Sequence, residues 1–82
     1  MICDARLKDV QRTSASVRYI YHCTLDSGSW SGDVIIESAD LTMTENVFDT
    51  LKYASLATSI SNQAIADTGV NVTVAEDEVR MA

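Results

Sequence analysis

Proline is absent from this 82-residue chain, and glycine occurs only three times. Without proline there is no stiff tether or enforced helix break, so neither a hinge nor an interdomain linker is visible. Histidine occurs once, at His22, and cysteine twice, at Cys3 and Cys23. No Cys-x-x-Cys pair exists, and His22 and Cys23 are neighbours in a strand-like run, which points them to opposite faces. A four-ligand zinc site is therefore not expected. Basic residues number 6 against 12 acidic ones, a net charge of −6, which argues against a general nucleic-acid binder. No stretch approaches the ~20 apolar residues that span a bilayer. The first residues, Met1 to Arg6, lack the basic region and apolar run of a secretion signal. A cytoplasmic protein with reduced thiols is expected.

Enzyme signatures are missing as well. There is no glycine-rich phosphate loop, no pair of catalytic carboxylates and no calcium-loop pattern. Gly28-Ser-Trp-Ser-Gly32 has the outline of a nucleophile elbow, but Trp30 stands where the serine must be. His22 lies on an outward strand position, with Thr24 and Ser31 the only hydroxyls near it on that face. A flat face offers no pocket that excludes water. No catalytic, cofactor-binding or metal-ligating residue is assigned, and no small-molecule substrate is implied.

The residues present describe a small α+β domain. Apolar residues make up 46% of the chain, too many for general disorder, and the length allows one domain over residues 1–82 with a thin core. Residues 2–11 alternate, with Cys3, Ala5 and Leu7 on one face and Asp4, Arg6 and Lys8 on the other, as in a half-buried strand. Residues 16–25 alternate more clearly, with Val17, Tyr19, Tyr21, Cys23 and Leu25 inward. Ser27-Gly28 reads as a hairpin loop, and the third strand turns Trp30, Val34 and Ile36 inward. Paired positions then sum to 55, which sets Arg18 opposite Glu37, His22 opposite Asp33 and Ile20 opposite Ile35. Opposite charges face each other, as cross-strand pairs prefer.

A helix is expected from Thr42 to Asp67, opened by the capping box Thr42 to Glu45 and closed by Gly69. Its apolar residues form two stripes. Met43, Val47, Leu51, Ala54 and Ile65 make one, expected to face the sheet. Tyr53, Leu56, Ile60 and Ala64 make the other, with Ala57 between, and either loops or the last strand cover it or it packs against a second copy or a partner. Val70, Val72 and Val74 read as a fourth strand beside strand one or three. The order is β-β-β-α-β, with the helix on one face of a three-stranded antiparallel meander. Residues 76–82 either end the last strand or form a short acidic tail.

That second stripe suggests a protein that works by protein–protein contact, as a homodimer or with another protein, through Tyr53, Leu56, Ala57, Ile60 and Ala64. An acidic surface of Asp33, Glu37, Glu76, Asp77 and Glu78 is a second candidate, suited to a basic partner. Compact acidic chains of this style are common among phages and mobile elements, as inhibitors of nucleic-acid machinery or small virion parts. A basic patch of Arg6, Lys8, Arg12 and Arg18 on the first hairpin gives a third possibility, weak nucleic-acid binding.

Overall fold

The computed structural model of the chain describes residues 1–39 and 45–81, and for residues 45–52 the backbone alone. Three strands lead, β1 (Cys3–Arg12), β2 (Val17–Leu25) and β3 (Ser31–Ser38), followed by the helix α1 (Glu45–Thr68) and a short strand β4 (Val79–Met81). The sheet order is β3-β2-β1-β4, with α1 against one face. This is the α+β architecture that the alternation and the long helical run imply. β4 lies beside β1 and parallel to it, Cys3 facing Val79 and Ala5 facing Met81. Because β1, β2 and β3 are successively antiparallel, β3 and β4 run the same way, as a crossover through a helix requires.

The second hairpin follows the side-chain chemistry of its sequence. Arg18 pairs with Glu37, Ile20 with Ile35, Tyr21 with Val34 and His22 with Asp33, in one unbroken register. Its turn starts one residue earlier than Ser27-Gly28 suggests. The Gly28 N–H donates to the Leu25 carbonyl at 2.9 Å, and Gly28 adopts φ +73°, a conformation that costs glycine little. The first hairpin is less regular. The register with β2 shifts between Leu7 and Asp9, a β-bulge at Lys8, which bends the strand and ends its clean alternation. The shift keeps Val10 on the inner-face register, opposite Tyr19 as Leu7 is opposite Tyr21, although both Leu7 and Val10 are exposed.

Two features differ from the sequence expectation. Val70, Val72 and Val74 are not a strand. Residues 71–75 have no regular secondary structure and no ladder partner among the described residues, although Val72 and Val74 are buried as the alternation implies. A half-buried Ser61 hydroxyl holds this segment to the helix, accepting from the Val74 N–H at 2.9 Å and donating to the Ala57 carbonyl at 2.8 Å. Nor are residues 76–81 a tail. Glu76–Glu78 form a single 3-10 turn that leads into β4, and the Met1 ammonium meets the Glu78 carboxylate at 2.7 Å. The helix closes as expected, with Gly69 at φ +70° and its N–H on the Ile65 carbonyl at 2.8 Å. The capping residues Thr42 to Thr44 lie outside the described residues.

The stripe without an assigned neighbour is the one that packs. Leu56, Ile60 and Ala64 are 0% exposed and Ala57 6%, all within the core of this single chain, with Tyr53 packed at its margin. Ala54 and Ile65, placed on the sheet-facing stripe by the helical wheel, are exposed instead. The side chains of Met43, Val47 and Leu51 lie outside the described residues. The cover that Leu56 and Ile60 need comes from both layers: the inner face of the sheet and the buried Val72 and Val74 of the returning segment. At the far end of α1, the Trp30 indole N–H donates to Asp67 Oδ2 at 2.9 Å, and Gln63 Nε2 holds the other carboxylate oxygen at 2.9 Å.

Candidate functional site

With α1 on one face, the sheet keeps its outer face and two edges exposed, beside the polar outer side of the helix. The outer face is a lattice of polar pairs. Asp4 binds Arg80 at 2.9 Å, Arg18 binds Glu37 at 2.6 Å, and Asp33 receives Lys8 on one oxygen and His22 on the other, each at 2.8 Å. Thr24 and Ser31 hydroxyls lie 3.1 Å apart. Ile20 and Ile35 sit side by side within this lattice, and Ile35 is 56% exposed.

Ser31, His22 and Asp33 adopt a connectivity that the sequence only hinted at. Ser31 Oγ lies 3.1 Å from His22 Nε2, and His22 Nδ1 lies 2.8 Å from Asp33 Oδ1. Alternate residues of β3 and an outward residue of β2 are adjacent by register, so an outward Ser-x-Asp opposite a His brings this about. The order of groups is that of a serine–histidine–aspartate relay. Its surroundings differ from an acyl-transfer site. Ser31 and Asp33 are exposed, His22 is half-exposed, and the Lys8 ammonium competes with the imidazole for the same carboxylate. Preorganised donors gain their catalytic strength from a water-excluded site, and an open sheet face supplies none.

Two carboxylates have depressed pKa values. Asp33 is lowered first by its hydrogen bond from Lys8 and then by that from His22. Glu78 is lowered by the Met1 ammonium and the Ala75 N–H. A carboxylate with a lower pKa folded than unfolded adds stability that is present above its unfolded value, about 3.9 for Asp and 4.3 for Glu. That stability is lost as pH falls through the folded value. Denaturant midpoints are therefore expected to hold steady down to about pH 5 and to decline below it. Asp33→Asn and Glu78→Gln together should flatten the decline, and an unchanged slope in that double variant would contradict the assignment. Cys3 and Cys23 play no part at the surface. Both are buried unbonded thiols, and the shared contact with Cys3 together with burial pushes the Cys23 thiol up, toward the unreactive protonated form.

The surface candidates fare differently. Leu56, Ala57, Ile60 and Ala64 cannot present a docking face, since the chain's own core already encloses them. Tyr53 alone retains partial exposure, beside Glu76, Asp77 and Val79. The acidic residues form two sets at opposite edges: Asp33 and Glu37 on β3, and Glu76, Asp77 and Glu78 next to β4. The basic residues do not converge either. Lys8 and Arg18 are engaged by Asp33 and Glu37, Arg6 faces outward opposite His22, and Arg12 sits opposite Val17, on the inner-face register.

The two sheet edges, which the sequence left unremarked, differ sharply. Beyond Ala5, β1 has no described partner on its outer side, because β4 pairs only as far as Met81. That stretch carries the Lys8 bulge and the charges of Arg6, Lys8, Asp9 and Arg12, the usual protection of an edge strand. β3 is the other edge, 8 residues long and without a bulge. Between it and α1 runs an open groove of about 520 Å³, lined by Asp33, Val34 and Ile35 on the strand and by Ser59, Asn62, Gln63 and Ala66 on the helix.

Among the described residues, no helix is long and apolar enough to cross a membrane. The class is thus a small α+β domain with one helix packed on a four-stranded sheet, whose outer face carries a lattice of charged pairs. No family model, curated protein or solved structure matches the chain.

Proposed function

We propose that this chain is a non-enzymatic binding protein that acts by contact with another polypeptide of basic character, in the cytoplasm. The observation that carries this reading is an edge strand, β3, with no strand beyond it among the described residues, on a chain of net charge −6. Edge strands are rarely left long, straight and uncovered, because they template pairing with other chains. A negative chain carrying one selects for cationic partners and speeds their encounter. An inhibitor of nucleic-acid machinery or a small virion component, of the kind mobile elements encode, falls within this class. Leu56 and Ile60, enclosed in the core, lie outside the surface proposed for this contact.

Capture from a cell lysate at physiological salt tests the proposal. The immobilised chain is expected to retain discrete basic polypeptides, and retention should survive nuclease treatment. Retention that vanishes with nuclease would instead support nucleic-acid binding through Arg6, Lys8, Arg12 and Arg18, and no retention at all would remove the proposal.

A further inference from the structure

We infer that the β3 edge, together with the groove beside α1, binds an extended cationic segment of a partner as an added fifth strand. This inference rests on the proposed function and supplies its surface and the partner's chemistry.

The backbone geometry comes first. The Leu25 N–H donates to the Trp30 carbonyl at 3.0 Å, which makes that pair a hydrogen-bonded one. In an antiparallel ladder such pairs recur every second residue. Gly32, Val34 and Ile36 therefore bond to β2, while Ser31, Asp33, Ile35 and Glu37 direct their N–H and C=O groups to the edge that no described strand pairs. Strand addition uses such a row of groups for affinity and side-chain pockets for specificity.

The side chains then select the occupant. An incoming strand meets Ile35 and Glu37 on its outer side, so its matching residues are an apolar residue and a cation, while Asp33 is already filled by Lys8 on one oxygen and His22 on the other. Arg18 occupies Glu37 Oε2 alone, which leaves Oε1 for an incoming ammonium or guanidinium. Residues on the other side of the added strand face Ser59, Asn62, Gln63 and Ala66 in the groove, a lining that suits small hydroxyl side chains. A segment of the form cation–small–apolar–small–cation therefore sets an apolar residue opposite Ile35 and a cation opposite Glu37 whichever way it runs. A second copy of this chain fits poorly. Antiparallel pairing of two β3 strands centred on Ile35 sets Asp33 against Glu37, and directly opposed like charges destabilise a sheet.

Calorimetric titration with a synthetic peptide carrying Lys-Ser-Val-Ser-Lys between threonines tests this. Binding is expected, with an affinity at least about tenfold lower for the Glu-Ser-Val-Ser-Glu peptide, a difference of ~1.4 kcal/mol. Ile35→Pro removes an outward N–H without removing a bond to β2, a position where edge strands accept proline, and should abolish binding. Glu37→Lys should weaken it by about tenfold while leaving the Trp30 fluorescence of the folded chain unchanged. Glu76→Gln and Asp77→Asn, at the opposite edge, should leave affinity as it was. Equal binding of both peptides, full affinity in Glu37→Lys, or a dimer of the free chain that Ile35→Pro dissociates would each overturn the inference. Failure of the peptide with lysate capture intact removes the edge site alone. Failure of both removes the proposed function as well.

Discussion

Leu56→Ala and Ile60→Ala are expected to lower the thermal midpoint by roughly 10 °C or more. Both side chains are fully enclosed between the sheet and the returning Val72–Val74 segment. Truncating such a residue removes its transfer free energy and leaves a cavity, ~2–5 kcal/mol in all. For a domain of this size, each kcal/mol moves the midpoint by about 4–8 °C, and the total stability of a small domain is only on the order of 4–12 kcal/mol. Leu56→Asp or Ile60→Asp adds a buried unpaired charge and should abolish cooperative folding. The outcome separates two accounts of the helix. If Ile60→Asp stays folded and merely changes the sedimentation coefficient, that stripe is an interface after all. Loss of the near-ultraviolet circular dichroism of Trp30 and the tyrosines, with no folded monomer recovered, is the result expected here.

Gly32→Ala should be nearly as damaging, for a reason invisible in the backbone. Gly32 has no positive φ, so its conformation is open to other residues. Its Cβ, however, would stand 2.7 Å from Trp30 Cζ2 and 3.2 Å from Cε2. The indole lies across this glycine and cannot simply swing away, because its N–H is fixed to Asp67 at 2.9 Å. Either the ring shifts and breaks that bond, or β3 moves away from the helix. Overpacking of this type costs ~1–3 kcal/mol. Trp30 is the only tryptophan, so its emission reports the displacement directly. A red shift with a lowered midpoint is expected, and wild-type emission with wild-type stability would contradict the packing described.

How far the sequence foretold these features varies with the kind of physics involved. The β2–β3 register was legible because polar and apolar residues alternate without interruption, and a one-residue slip would have buried Arg18, His22, Asp33 and Glu37. The His22–Asp33 and Arg18–Glu37 contacts follow from it directly. The bulge at Lys8 was not legible, because Lys8 and Asp9 are both polar and a doubled outward position leaves no hydrophobic signature. Val70, Val72 and Val74 show a different limit. Alternation reports burial on one side, and an extended segment laid along a helix produces it as well as a ladder does. The true β4, only 3 residues, is too short to show any period.

The helix stripes were confused because α1 is apolar on more than one side, and a helical wheel ranks faces without saying which neighbour each one meets. Ala57 and Ala64, flanking Leu56 and Ile60, do carry a usable signal, since small residues allow the sheet and the returning chain to come close. The β3 edge had no signature of its own. It depends on β4 joining β1 rather than β3, a choice made by tertiary packing.

Amide hydrogen exchange along β3 tests the central claim most directly, because it reads the open edge and its occupancy in one experiment. In the free chain, the outward amides of Asp33, Ile35 and Glu37 should exchange rapidly while those of Gly32, Val34 and Ile36, bonded to β2, are protected. Adding the cationic strand peptide should bring the outward amides into the protected class and leave the β1 edge, from Lys8 to Arg12, unchanged. Outward amides already protected in the free chain, or still exchanging rapidly with the peptide bound, would contradict the account.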